Sequence, residues 1–164
     1  MSILFDGQYA NGVSRAARDI ILKHTPVRRA TPREDYSGTD AVVDACRWQV
    51  RVRHHRHLHD YPDDLTFRLS TTFGNSSEVD RILAGTYTAD RFLYGFATVD
   101  NDGIEAWRII DMVNIGALHR GAITAAIDDA RTNRDGSRFV VIDANDIPAA
   151  VVDAHGFAVQ GVLL

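Results

Sequence analysis

Between residues 40 and 70 apolar and polar positions alternate with a period of two. Residues 40–45 and 47–53 are predicted as two short strands around a tight connection near Cys46. Successive side chains of a strand point to opposite faces. In the second strand Trp48, Val50 and Val52 share one face, and Gln49, Arg51 and Arg53 share the other. In the first, Ala41, Val43 and Ala45 share a face, while Asp40 and Asp44 lie opposite with Val42. A third predicted strand, 65–70, sets Leu65, Phe67 and Leu69 against Thr66, Arg68 and Ser70. If the three pair, one sheet face is apolar and the other carries carboxylates, an amide and guanidiniums.

Elsewhere the period is helical. Residues 1–12 read as irregular, with Asp6-Gly7 and Asn11-Gly12 as turn signals. Ser14 is predicted to cap a helix running to about residue 24, with Val13, Ala17, Ile20, Ile21 and His24 inward. Residues 26–39 are a polar connection with a short helical turn opened by Thr31-Pro32. Residues 54–64 read as a hairpin loop. Ser77 with Asp80 is predicted to cap a helix over 78–84, packed by Val79, Ile82 and Leu83 and stopped by Gly85. Two strands, 92–99 and 104–110, flank the turn Asn101-Asp102-Gly103. Asp111 caps a helical region that breaks near Gly121. After the turn at 133–136, residues 138–143 form an apolar strand. A short helix with Pro148 in its first turn closes at His155-Gly156, and the last residues add an edge strand or dock on the core. The prediction is one mixed α/β domain over 1–164, with a central mixed sheet of four to six strands and helices on its faces.

Composition narrows the class. The 164 residues are 45% hydrophobic and 24% charged, as in an ordinary globular protein with a sizeable core. No apolar run is long enough for a membrane span, and the first residues carry no basic-then-apolar signal, so a cytoplasmic location without membrane partners is the expectation. A lone cysteine, Cys46, excludes an internal disulfide framework and Cys-rich zinc motifs. Arginine supplies all the basic residues except Lys23. Residues 23–59 hold eight basic and four acidic side chains, although the chain carries a net charge of −4. Such a local basic patch suits a confined polyanion site, or a solvated surface whose arginines pair with nearby carboxylates.

The order helix, strand, strand, strand, helix, strand, with GTD at 38–40 and QVR at 49–51, resembles the PD-(D/E)XK nuclease superfamily over residues 14–97. Residues 98–164 would then add a hairpin, a helical region and a C-terminal strand and helix. The chain is also similar to uncharacterised phage-type proteins that share its TP-E-D, VRVR, F-T/F-R and YG elements. The superfamily resemblance implies a restriction-endonuclease-like core that binds DNA or RNA and hydrolyses phosphodiesters with Mg²⁺. Asp40 would be the metal ligand, with Glu34 or Asp44 as a second carboxylate and Gln49 as an amide ligand. Arg51 would contact the transition-state phosphate, and Arg53, Arg68 and Arg47 would bind the nucleic-acid backbone. Two positions depart from the pattern. Gln49 replaces an acid, which lowers the charge holding the metal, and Arg51 replaces a lysine. A guanidinium grips phosphate but does not readily lose a proton.

Other chemistry is sparser. His54, His55, His57 and His59 beside Asp60 offer a donor set for zinc, or form a solvated cationic loop. Cys46 has no paired histidine and reads as structural. Glu78 and Arg81, on the short helix, contribute to the polar face if that helix packs across it, and are surface residues by default. Two alternatives to a nuclease stand: a non-catalytic module binding nucleic acid or an acidic partner through the arginine face, and a phage-type interaction protein using its acidic remainder.

Overall fold

The computed structural model describes residues 11–23, 27–29, 41–43, 46–70 and 77–157. Helix α1 (Asn11–Leu22) begins before Ser14, so Asn11-Gly12 opens the helix where a turn is predicted. The reason is packing against a neighbouring turn: a Cβ on Gly12 would lie 2.2 Å from the Asp102 carbonyl oxygen. Along α1, Val13, Ala17 and Ile21 are buried at helical spacing, as predicted.

That stripe covers one face of a six-stranded sheet. Strands β1 (Val27–Arg29), β2 (Ala41–Val43) and β3 (Cys46–Arg53) form an antiparallel meander. The strand β1 falls where a polar connection is predicted. On its other side β3 pairs in parallel with β5 (Arg91–Ala97), which pairs antiparallel with β6 (Ile104–Asp111), and β6 pairs with β9 (Val151–His155). Trp48, Leu93 and Ile109 meet α1 from the sheet, and Val52 and Ala97 extend the contact.

The predicted third strand does not join this sheet. The segment predicted as a hairpin loop instead contains a short helix, α2 (Arg56–Asp60). Strand β4 (Asp64–Ser70) then pairs antiparallel with β8 (Arg138–Asp143), and β8 pairs with β7 (Arg131–Thr132). Alternation places Leu65 and Phe67 inward whichever sheet β4 joins, so sequence pattern alone could not choose. The two sheets pack face to face. Leu65, Phe67, Val140 and Ile142 meet Phe92, Tyr94, Phe96 and Ile110 in the main core.

Helices close the ends of this core. Helix α3 (Glu78–Ala84) starts with the predicted capping box: the Ser77 hydroxyl accepts from the Asp80 amide at 3.0 Å, and the Asp80 carboxylate accepts from the Ser77 amide at 3.2 Å. It stops at Gly85, whose φ of 69° suits a residue without a Cβ. Ser77→Ala should lower stability by about 1 kcal/mol in a urea titration, with an unchanged m-value. Asp111 caps α4 (Met112–Leu118) as predicted. The break before α5 (Arg120–Asp128) falls at His119, near Gly121 as predicted. The predicted helix from Pro148 shrinks to a single 3₁₀ turn, Pro148–Ala150, after which the chain extends as β9 beside β6. No described helix is long and apolar enough to cross a membrane.

Candidate functional site

Parallel pairing with β5 sets Gln49, Arg51 and Arg53 beside Phe92, Tyr94 and Phe96. The polar face of β3 therefore points between the two sheets, at the rim of the aromatic core. Here β4 is the edge strand of the small sheet, so its outward backbone groups lack a strand partner. Side chains supply the missing partners. An Arg51 guanidinium nitrogen donates to the Thr66 carbonyl. The Arg68 amide donates to Glu78 Oε2 at 2.6 Å.

Glu78 is the hub of this cluster. Its Oε1 accepts from Arg51 Nη2 at 2.6 Å and from Gln49 Nε2 at 2.7 Å. The Glu78 side chain is 7% exposed and that of Arg51 23% exposed. Burial works to raise the Glu78 pKa, but the Arg51 charge and the hydrogen bonds from Arg51, the Arg68 amide and Gln49 outweigh it and hold the value at about 2. Burial works against the Arg51 cation, and Glu78 more than offsets this, raising its pKa above the ordinary value. Both groups stay ionised near neutral pH. The amide oxygen of Gln49 is buried and has no partner among the described residues.

Above this cluster lies an open groove of about 280 Å³. Arg51 and Arg53 reach it from β3, Arg68 from β4 and Arg138 from β8. Arg53 also donates to the Tyr94 hydroxyl at 3.3 Å, which lies 3.2 Å from the Thr66 hydroxyl. The guanidiniums of Arg68 and Arg138 have no hydrogen bond or ion pair among the described residues. The turn holding Asn133, Asp135 and Ser137, just before Arg138, also lines it. Asp135 Oδ1 accepts from the Ser137 amide at 2.9 Å and hydroxyl at 2.7 Å, and these bonds lower its pKa.

The structure thus joins Gln49 and Arg51 through Glu78, and sets Arg51, Arg53 and Arg68 around one groove. Arg68 arrives there from the small sheet and not, as predicted, from the sheet that holds β3. Arg47 stands apart in a two-point contact with Asp90, at 3.2 Å from Nε and 2.9 Å from Nη2. Glu34, Asp40 and Asp44 lie outside the described residues. Glu78 and Arg138 were not among the predicted site residues. One signal for Glu78 was available: it stands one turn before Ile82, on the apolar stripe of α3. An ionisable residue on that stripe has to find a partner inside. For Arg138, no signal in the sequence brought β8 to β4.

The histidines do not gather. His54 and His55 contact one another, His57 faces Tyr61, and His59 turns to Asp60 with its side chain 94% exposed. Burial, then the charges of Arg53 and Arg56, lowers the His57 pKa. Among the described residues, no three His, Cys, Asp or Glu side chains come together as a metal-ligand set. Neither a protein-family model nor a curated protein sequence matches this chain.

Proposed function

We propose that this protein binds the phosphate backbone of nucleic acid, DNA or RNA, in the arginine groove. One observation carries the proposal: four arginines line a single open groove, and the guanidiniums of two of them, Arg68 and Arg138, make no hydrogen bond or ion pair among the described residues. Like charges held together repel, and a bound polyanion relieves that repulsion. Phosphate oxygens suit guanidinium geometry, and each neutralised phosphate releases condensed counterions. Glu78 supports the site indirectly. By fixing Arg51 from behind, it sets the floor against which the other three arginines are arrayed. Titration of labelled DNA and RNA strands against the whole protein tests the proposal. Binding that weakens steeply with added salt supports it, and the absence of binding at low salt overturns it.

A second reading, phosphodiester hydrolysis with Mg²⁺, is favoured by the unpartnered Gln49 amide oxygen. That atom is a hard donor of the kind Mg²⁺ takes, and Asp40 and Glu34 would complete the set. Glu78 already accepts three hydrogen bonds, from Gln49, Arg51 and the Arg68 amide. Bound there, Mg²⁺ would polarise the phosphoryl group and acidify a water molecule. Under this reading, cleavage of DNA or RNA should require Mg²⁺, stop with EDTA and vanish in Asp40→Ala. Wild-type protein that binds strands but leaves them intact would restrict the function to binding.

A further inference from the structure

We infer that the groove selects single-stranded over double-stranded nucleic acid, with Phe139 as the platform on which an unpaired base stacks. This rests on the phosphate-binding proposal above. Phe139 sits in β8 directly opposite Arg68 of β4. Its neighbour Val140 and the more distant Ile142 turn into the main core, so alternation sends Phe139 to the outer face. There it lines the groove, partly exposed. It belongs to none of the three apolar clusters and stacks on no other ring among the described residues. A phenylalanine usually gains its stabilisation by burial. This one leaves ring surface in a polar groove beside unpaired cations.

Arg53, Arg68 and Arg138 offer cations to the phosphates. Asp135 lines the groove in the turn just before Arg138, where the Arg68 charge also reaches it, and its Oδ2 takes no hydrogen bond among the described residues. A carboxylate repels phosphate but accepts from the amino and imino groups of a base edge. At about 280 Å³ the groove has room for one nucleotide unit. A duplex keeps its base faces stacked internally, whereas a single strand can turn one onto Phe139.

The test uses fluorescence anisotropy with three labelled probes of equal length: a single strand, its duplex, and a strand of abasic sugars. The wild type should bind the strand about tenfold or more tighter than the abasic probe, and tighter than the duplex. Phe139→Leu should lose about tenfold on the strand and nothing on the abasic probe, while Phe139→Tyr keeps wild-type affinity. Equal wild-type affinity for strand and abasic probe would overturn the stacking role and leave phosphate binding standing. So would equal affinity for strand and duplex, or a Phe139→Leu protein that binds the strand like the wild type. If none of the three probes binds, the groove proposal falls and this inference with it. A doubly phosphorylated peptide that binds more tightly than the strand would also overturn it. The comparison between strand and abasic probe needs no variant, so it decides the matter even if Phe139→Leu fails to fold.

Discussion

Replacing Glu78 with glutamine should destabilise the protein by about 3 kcal/mol, toward the lower end of the range for breaking a buried ion pair. The carboxylate is nearly enclosed, and it neutralises Arg51 while satisfying the Arg68 amide and the Gln49 amide group. Glutamine keeps the volume but leaves the Arg51 charge uncompensated at the edge of the core. Partial exposure of Arg51 places the cost near that lower end, because some solvent reaches the cation. The double variant Glu78→Gln/Arg51→Met should recover most of the loss, since an apolar side chain in place of Arg51 removes the stranded charge. Chemical denaturation of the four proteins gives the coupling energy directly. A single variant as stable as the wild type would show that the cluster does not hold β3, β4 and α3 together.

The same carboxylate predicts an acid-sensitive interval. Its folded pKa is about 2, below the ordinary value of 4.5, so ionised Glu78 stabilises the fold fully above about pH 4.5. That contribution, about 3 kcal/mol, should fall away as pH drops from about 4.5 toward 2. Asp90, lowered by its bonds to Arg47 against the opposing effect of burial, acts in the same direction. The difference between wild type and Glu78→Gln isolates the Glu78 part. The gap in stability should be widest near neutral pH and should close across that acid interval. Parallel stability curves would contradict the assignment.

The second large effect concerns binding. The triple variant Arg53→Gln/Arg68→Gln/Arg138→Gln should weaken nucleic-acid binding about a hundredfold at physiological salt, from the loss of three released counterions. Its thermal stability should stay close to that of the wild type. Arg68 and Arg138 anchor no described hydrogen bond through their guanidiniums, and removing them relieves repulsion. This contrasts with Glu78→Gln, where stability changes first. Loss of both stability and binding in the triple variant would mean that these arginines hold the fold.

Local chemistry was legible in the sequence, and distant pairing was not. Ser77 with Asp80, Asp111 and the turn after Val99 act within a few residues, so their roles follow from spacing. The alternation in β3 correctly separated Trp48 and Val52 from Gln49 and Arg51. It could not tell that both faces are covered, one by α1 and the other by the small sheet. The parallel pairing of β3 with β5 passes over two helices and β4, and nothing in the sequence specifies it. Moving β4 to the second sheet changed the meaning of the arginine face: part of it became a sealed joint and part a groove. Glu78 was hidden because a glutamate beside a helix cap is usually exposed and dipole-stabilised. Its position on the Ile82 stripe was the contrary signal.

The most direct test of the groove is the salt dependence of binding for the wild type and the triple arginine variant. Affinities of one oligonucleotide would be measured from low to physiological salt and plotted as log affinity against log salt concentration. The wild type should give a steep negative slope and the variant a slope shallower by about 3, near one unit for each arginine removed. Identical slopes for the two proteins would place the nucleic-acid contact outside the groove and overturn its role in binding.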